Sequence, residues 1–346
     1  MNGKTVKWAV CAAALAALGG CAEKPPVLRI YTWSDYVKPE LIQRFERENH
    51  CRVVIDTYDS NETMYDHLAA REKDPFDLLF PSSYMVKILR DQGMLQPLNP
   101  DWIPNRRNVD ATYLAMAPDR EMVYSVPYAV TITSLGYLGE QVQDFKPTWA
   151  MLDRPDLKGR MTMLDDYRET IGAALKYLGY SLNSTNDSEL AEAKDVVLRW
   201  KRNLAGFESE KYKDDLASGE CLLAHGYSGD LMAGQGKNGD LQIAVPEEGS
   251  ALSFDDMAIP ADAREVVLAH KFIDFILDPR VAAEMTEYIC YLCPNEVSYQ
   301  YLSAEFRTNP ILFPPPEVVE KLEMIGDIGP SQVKYEKIWQ EIQAGN

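Results

Sequence analysis

From residue 27 onward, short apolar runs alternate with stretches whose apolar residues recur at helical spacing. Residues 27–33 read as a strand. Pro39 opens a helix at a position that needs no N–H donor, with Leu41, Ile42 and Phe45 on one face. Residues 52–57 read as a second strand, and Asn61 is placed to cap a helix running to about Glu72. Residues 77–80 read as a third strand, followed by a helix from Tyr84 that ends near Gly93. Such alternation predicts an α/β fold, a parallel sheet with helices on both faces. Ligands of such sheets sit beyond the carboxyl ends of the strands, where residues 33–36 and 82–84 fall.

The middle of the chain is less regular. A Pro-rich stretch, 97–104, is expected to cross the surface, and residues 124–138 are β-rich and long enough to pass between lobes. Helices are predicted over 170–178, 188–204, 266–277, 281–288 and 333–343, and strands over 220–225, 241–245 and 257–259. The 346 residues suffice for two ordinary domains, with no internal repeat.

Residues 1–20 fall outside this pattern. Lys4 and Lys7 give a basic start, residues 8–18 are apolar and Ala-rich, and Gly19 and Gly20 lead to Cys21. This is the plan of a secretory signal, and its apolar run is shorter than the roughly 20 residues a bilayer span needs. Leu18-Gly19-Gly20-Cys21 resembles a bacterial lipobox, which implies that Cys21 becomes the lipidated first residue of the mature chain. Residues 21–26 would then be a tether, stiffened by Pro25 and Pro26, on a membrane facing the periplasm or exterior. A plain signal peptide that happens to carry a cysteine is the alternative.

The formal charge is −18, from 53 acidic and 35 basic residues. An acidic exported chain does not seek nucleic acid or anionic lipid, and it attracts cations. Solubility alone is the competing reason for the charge. Cys290 and Cys293 have C-x-x-C spacing, but a zinc site needs two further ligands at comparable spacing. His50, His67, His225 and His270 provide no paired H-x3-5-H, so two buried thiols or a local disulfide are the plainer readings, with no metal.

Enzyme templates fail. There is no H-E-x-x-H, no G-x-S-x-G and no P-loop, and Gly234 to Gly239 matches G-x-G-x-x-G only in a loop before a strand. Aromatics paired with carboxylates at loop tips are more telling: Trp33-Ser34-Asp35-Tyr36, Tyr84, Asp165-Asp166-Tyr167-Arg168-Glu169, Tyr227 with Asp230, and Phe254-Asp255. Aromatic faces attract ammonium groups and carboxylates hydrogen-bond them. Asp166-x-x-Glu169 equally resembles a helix-capping box.

Several stretches, in order, resemble the spermidine/putrescine-binding proteins of bacterial ABC transporters: residues 30–36, 57–65 (Thr57-Tyr58-Asp59-Ser60-Asn61-Glu62-Thr63-Met64-Tyr65), 81–84, 164–169, 258–261 and 327–329. The resemblance implies a two-lobed type II periplasmic-binding-protein fold. Its lobes would be 27–130 with 257–301 and 131–256 with 302–346, hinged where 127–135 and 255–257 cross. It further implies that Trp33, Tyr36, Tyr84 and Tyr227 wall a cleft with Tyr291 at its edge. Ser34, Ser82 and Ser209 would offer hydroxyls, Asp166 and Glu169 would grip one ammonium, Asp255 another, and Asp35 would be the acid of the first loop. A small polyamine and an ABC permease are the implied partners, with no cofactor and no catalysis; nothing in the sequence argues for an obligate oligomer, so a monomer is expected.

This chain departs from that family at three positions and resembles one part of it at a fourth. Tyr227 replaces a usual Trp. Ser253 replaces Trp or Phe, leaving Phe254 as the candidate wall. Ile325 stands where spermidine-preferring members have an amide, and Asp230 resembles an acid of putrescine-preferring members. A same-fold receptor for another cation, metal ion or anion and a carboxylate-dependent hydrolase are the competing readings.

Overall fold

The computed structural model describes residues 24–70 and 75–345. The leader, Cys21 and the far end of the helix predicted from Asn61 lie outside them.

Among the described residues, ten strands join in one connected sheet. They are β1 (Val27–Thr32), β2 (Arg52–Thr57), β3 (Leu78–Leu79), β4 (Ser125–Leu138), β5 (Met161–Met163), β6 (Gly206–Phe207), β7 (Leu223–Tyr227), β8 (Leu241–Ala244), β9 (Ala251–Ala258) and β10 (Glu323–Met324). The order is β2-β1-β3-β9-β4-β7-β5-β6, with β10 beside β9 and β8 beside β4. β1 pairs in parallel with β2 and β3, as the alternation predicts, whereas β9 enters antiparallel to β3 and β4.

The sheet divides along β4. Its first half pairs with β9 as far as Ile132, and from Thr133 onward it pairs with β7 and β8. One strand thus enters two cores and is buried almost throughout. Pro127, which has no N–H to give a ladder, stands at the register shift between Pro127 and Ala129. One core gathers Leu28, Ile30, Phe45, Phe80, Tyr128 and Phe272, and the other Trp149, Trp200, Tyr212, Leu223 and Tyr335. A smaller cluster, with Val130, Ile132, Phe254, Leu292 and Leu312, lies at the crossing. This is the two-lobed α/β fold. No helix of the described residues is long and apolar enough to cross a membrane.

The helices that carry the site are α1 (Pro39–Asn49), α2 (Asn61–Ala69), α3 (Ser83–Asp91), α4 (Tyr167–Tyr177) and α5 (Ser228–Gln235). Pro39 opens α1, Leu41 and Phe45 bury its inner face, and His50 at φ 51° ends it in the left-handed region. Three local expectations are corrected. The cap of α2 is Ser60, whose Oγ accepts the Thr63 N–H at 3.1 Å, and Asn61 is already helical. The strand expected over 257–259 begins six residues earlier, because β9 is recruited by pairing with β4. Phe254 does not replace a wall at Ser253, because adjacent residues of a strand face opposite ways and Phe254 packs into the crossing cluster.

Candidate ligand-binding cleft

Strand parity sorts the side chains of β9. Ser253 and Asp255 lie on one half-exposed face, while Phe254 and Asp256 turn to the buried one. Tyr36 Oη–H donates to Asp255 Oδ2 at 2.5 Å, and Ser82 Oγ–H donates to Asp255 Oδ1 at 2.7 Å. Burial pushes the Asp255 carboxyl up to about 6, against the lowering effect of these two donors. Burial and the Asp255 charge raise the Tyr36 phenol well above its ordinary value, so it stays a donor. On the reverse face, Ser83 and Ser125 hydroxyls donate to Asp256 Oδ2 at 2.9 and 3.1 Å, and burial pushes that carboxyl up to about 7. Asp256 thus ties the start of α3 to β4 beneath the site.

A second acidic group stands at the start of α4. Asp166 is its N-cap, accepting the N–H groups of Arg168 at 2.8 Å and Glu169 at 3.1 Å. Glu169 is 3% exposed and accepts the Thr133 Oγ1–H at 2.7 Å from β4. Burial raises both carboxyls, and the Asp166 charge adds to it at Glu169, which is pushed up to about 8. Arg168 lies between them, but its hydrogens go to Gly326 O at 3.0 Å and Asn183 Oδ1 at 2.7 Å. The segment so held carries Asp327, which meets Lys87 of α3 at 2.8 Å.

Aromatic rings lie between the two acidic groups. Tyr36 meets Tyr291 edge-on at 6.1 Å and Tyr128 at 5.2 Å. The Tyr291 ring rests on Gly229, where a Cβ would stand 2.5 Å from it, so this position must be glycine. Burial raises the Tyr227 phenol, as do the nearby charges of Asp166 and Glu169. Tyr84 stands 3.4 Å from Glu62 and feels Asp166 and Tyr167. Trp33 donates Nε1–H to Phe80 O at 3.0 Å and meets Tyr58 edge-on at 4.5 Å.

Other expected residues stand further out, except Asp230, whose charge helps raise the Tyr291 and Tyr227 phenols. Ser34 and Asp35 are exposed on the loop after β1, Asp35 at φ 55°. Ser209 accepts the Asp165 N–H at 3.0 Å and braces the acidic loop. Asp230 accepts Tyr212 Oη–H at 2.8 Å and lies 3.8 Å from Lys213 Nζ. Ile325 packs against Leu182 and Ala251. Cys51, Cys221, Cys290 and Cys293 are free thiols, and no group of three or more His, Cys, Asp or Glu among the described residues could hold a metal ion.

Residue reading alone missed Asn61's contact with Ser82, Glu62 beside Tyr84, Thr133 on Glu169, and Asp256. Asn61 and Glu62 belong to the 57–65 stretch, which carried a resemblance but no role. Thr133 and Asp256 depend on contacts between segments more than 30 residues apart, which give no local signal.

Residues 40–314 match the model of a family described as bacterial extracellular solute-binding protein. The chain is 33% identical to the spermidine/putrescine-binding periplasmic protein of Escherichia coli, over 98% of this chain and 99% of that one. It is 33% identical to the putrescine/cadaverine-binding protein of Pseudomonas aeruginosa, over 95% and 96%. A lipoprotein of Treponema pallidum of known structure superposes with a TM-score of 0.83 at 31% identity, over 91% of this chain and 99% of the other. By both its sequence and its fold, the chain belongs to the bacterial extracellular solute-binding proteins.

Proposed function

We propose that this protein binds a small polyamine, putrescine or spermidine, between its lobes outside the cytoplasmic membrane and delivers it to an ABC importer without catalysing a reaction. The observation that carries this reading is a pair of separate, partly buried acidic groups, Asp255 and Asp166–Glu169, with tyrosines between them. A chain of methylenes with an ammonium at each end fits that order of acid, aromatic surface and acid. Each carboxylate hydrogen-bonds one ammonium, and each aromatic face adds about 0.5–2 kcal/mol of cation–π attraction. Trp33, Tyr36, Tyr84, Tyr227 and Tyr291 form the walls, Ser82 supports Asp255, and Ser34, Asp35, Ser209 and Asp230 complete the set. The names of the relatives support the ligand class.

In this reading, closure brings lobe 27–130 with 257–301 onto lobe 131–256 with 302–346, and the ligand favours the closed form because both lobes contact it. A thermal-melt series on the mature domain tests the ligand class. Putrescine or spermidine at a hundredfold excess over Kd should add about 2.7 kcal/mol of stability, while glutamate and sulfate add none. Stabilisation by the anions and not by either amine would contradict the reading.

The anchor is part of the same proposal: Cys21 carries the lipid that holds the monomer at the membrane. Cys21→Ser should move the protein from the membrane to the soluble fraction with binding unchanged. Retention of that variant on the membrane would refute the anchor.

A further inference from the structure

The residue spacing offers Asn61 as a helix cap, and the structure frees it from that duty, since Ser60 caps α2 instead. Asn61 is 6% exposed, with its amide turned to the loop after β3. Its Nδ2–H donates to Ser82 Oγ at 3.1 Å, and its Oδ1 accepts the Ser82 N–H at 3.1 Å. The same amide faces the Tyr84 hydroxyl.

A serine hydroxyl has a single hydrogen. With Asn61 Nδ2–H occupying a lone pair of Ser82 Oγ, that hydrogen is left for Asp255 Oδ1 at 2.7 Å. A bridge between Ser82 and Asp255 fixes where the two residues stand. Asn61 fixes which way the hydroxyl points.

We propose that Asn61 is a positioning residue for the cation site at Asp255: it holds Ser82 as a donor, which favours the ionised carboxylate and leaves its remaining lone pairs for an ammonium. The claim rests on the polyamine reading for its ligand, but not for its geometry. Removal of Asn61 frees the Ser82 hydroxyl to rotate, so the carboxylate loses an oriented donor although Asn61 never touches the ligand.

A double-mutant cycle on putrescine affinity tests this. Asn61→Ala should weaken binding about tenfold, Ser82→Ala by a similar factor, and the double variant by less than about twofold more, because both changes break one chain of contacts. Losses that multiply would make Asn61 a structural residue only and overturn the proposal. Asn61→Asp at about pH 8 guards against simple misfolding, since it keeps the size and the acceptor while it loses the donor and gains a charge. Its added charge alone would tighten cation binding, so weaker binding supports the proposal and tighter binding contradicts it.

The Asp255 titration, followed by NMR without ligand, separates this claim from the functional one. Facing Asp255 are the phenols Tyr36, Tyr58, Tyr128 and Tyr291, all raised and neutral, and the adjoining Asp256. Asn61→Ala should raise the Asp255 midpoint by about half a unit or more. An unmoved midpoint overturns the proposal even if polyamines bind. A raised midpoint upholds it even if they do not.

Discussion

Asp255→Asn lowers polyamine affinity by about 2 kcal/mol or more, roughly thirtyfold, and leaves the fold intact. The variant is nearly isosteric, so the cleft keeps its shape. Two effects act together. The ammonium loses its charge partner in a desolvated place. The new amide also presents one donor where both oxygens had accepted, so the Tyr36 or the Ser82 hydrogen bond must reverse its direction. The empty protein moves the other way. Burial raises the Asp255 carboxyl to about 6, so at neutral pH the fold holds an unfavourable charge that the amide removes. Calorimetry and thermal melts on the same samples should therefore show affinity falling while stability holds or rises. An affinity loss below about half a kcal/mol would take Asp255 out of the site.

Polyamine binding should also release protons near neutral pH. Glu169 in the empty protein is raised from 4.5 to about 8 by burial and by Asp166. A raised carboxyl favours the protonated folded state. Its contribution to stability is present below the unfolded pKa and is lost as pH rises through the folded one. The empty protein should therefore lose stability as pH climbs from about 4.5 to about 8. A bound ammonium needs the ionised carboxylate, and alkylammonium groups keep their charge to about pH 10. Affinity should therefore rise through the same window, and ligand should stabilise the protein more at its upper end. Titrations at about pH 7 in buffers of different ionisation enthalpy would register the released proton. Glu169→Gln should abolish most of that release. A binding constant independent of pH across the window would contradict the assignment.

The alternation of strand and helix in the first hundred residues was legible because each element carries its own period. Phe45 lies on the predicted face of α1, and β1 and β2 pair in parallel. β4 was legible as β structure but not in its pairing, since a strand covered on both faces has no alternation to read. The start of β9 was lost for a related reason: its partners, β3 and β4, are distant in sequence. At the site, the aromatic and acidic residues were visible by type, but their division of labour was not. In Asp255-Asp256, strand parity alone decides which carboxyl faces the cleft. In Ser60-Asn61, a shift of one residue decides which side chain caps the helix and which reaches Ser82. Asp166 and Glu169 were open to either a capping or a binding reading, and Asp166 does cap, while Glu169 turns to Thr133 instead of closing the box.

The decisive measurement is calorimetric titration of the mature protein with putrescine, then spermidine. At least one should bind at a Kd of about 1 μM or tighter, near −8 kcal/mol, with Asp255→Asn binding much more weakly. Heats no greater than dilution for both amines would contradict it, and would turn the two acidic groups toward another cationic solute.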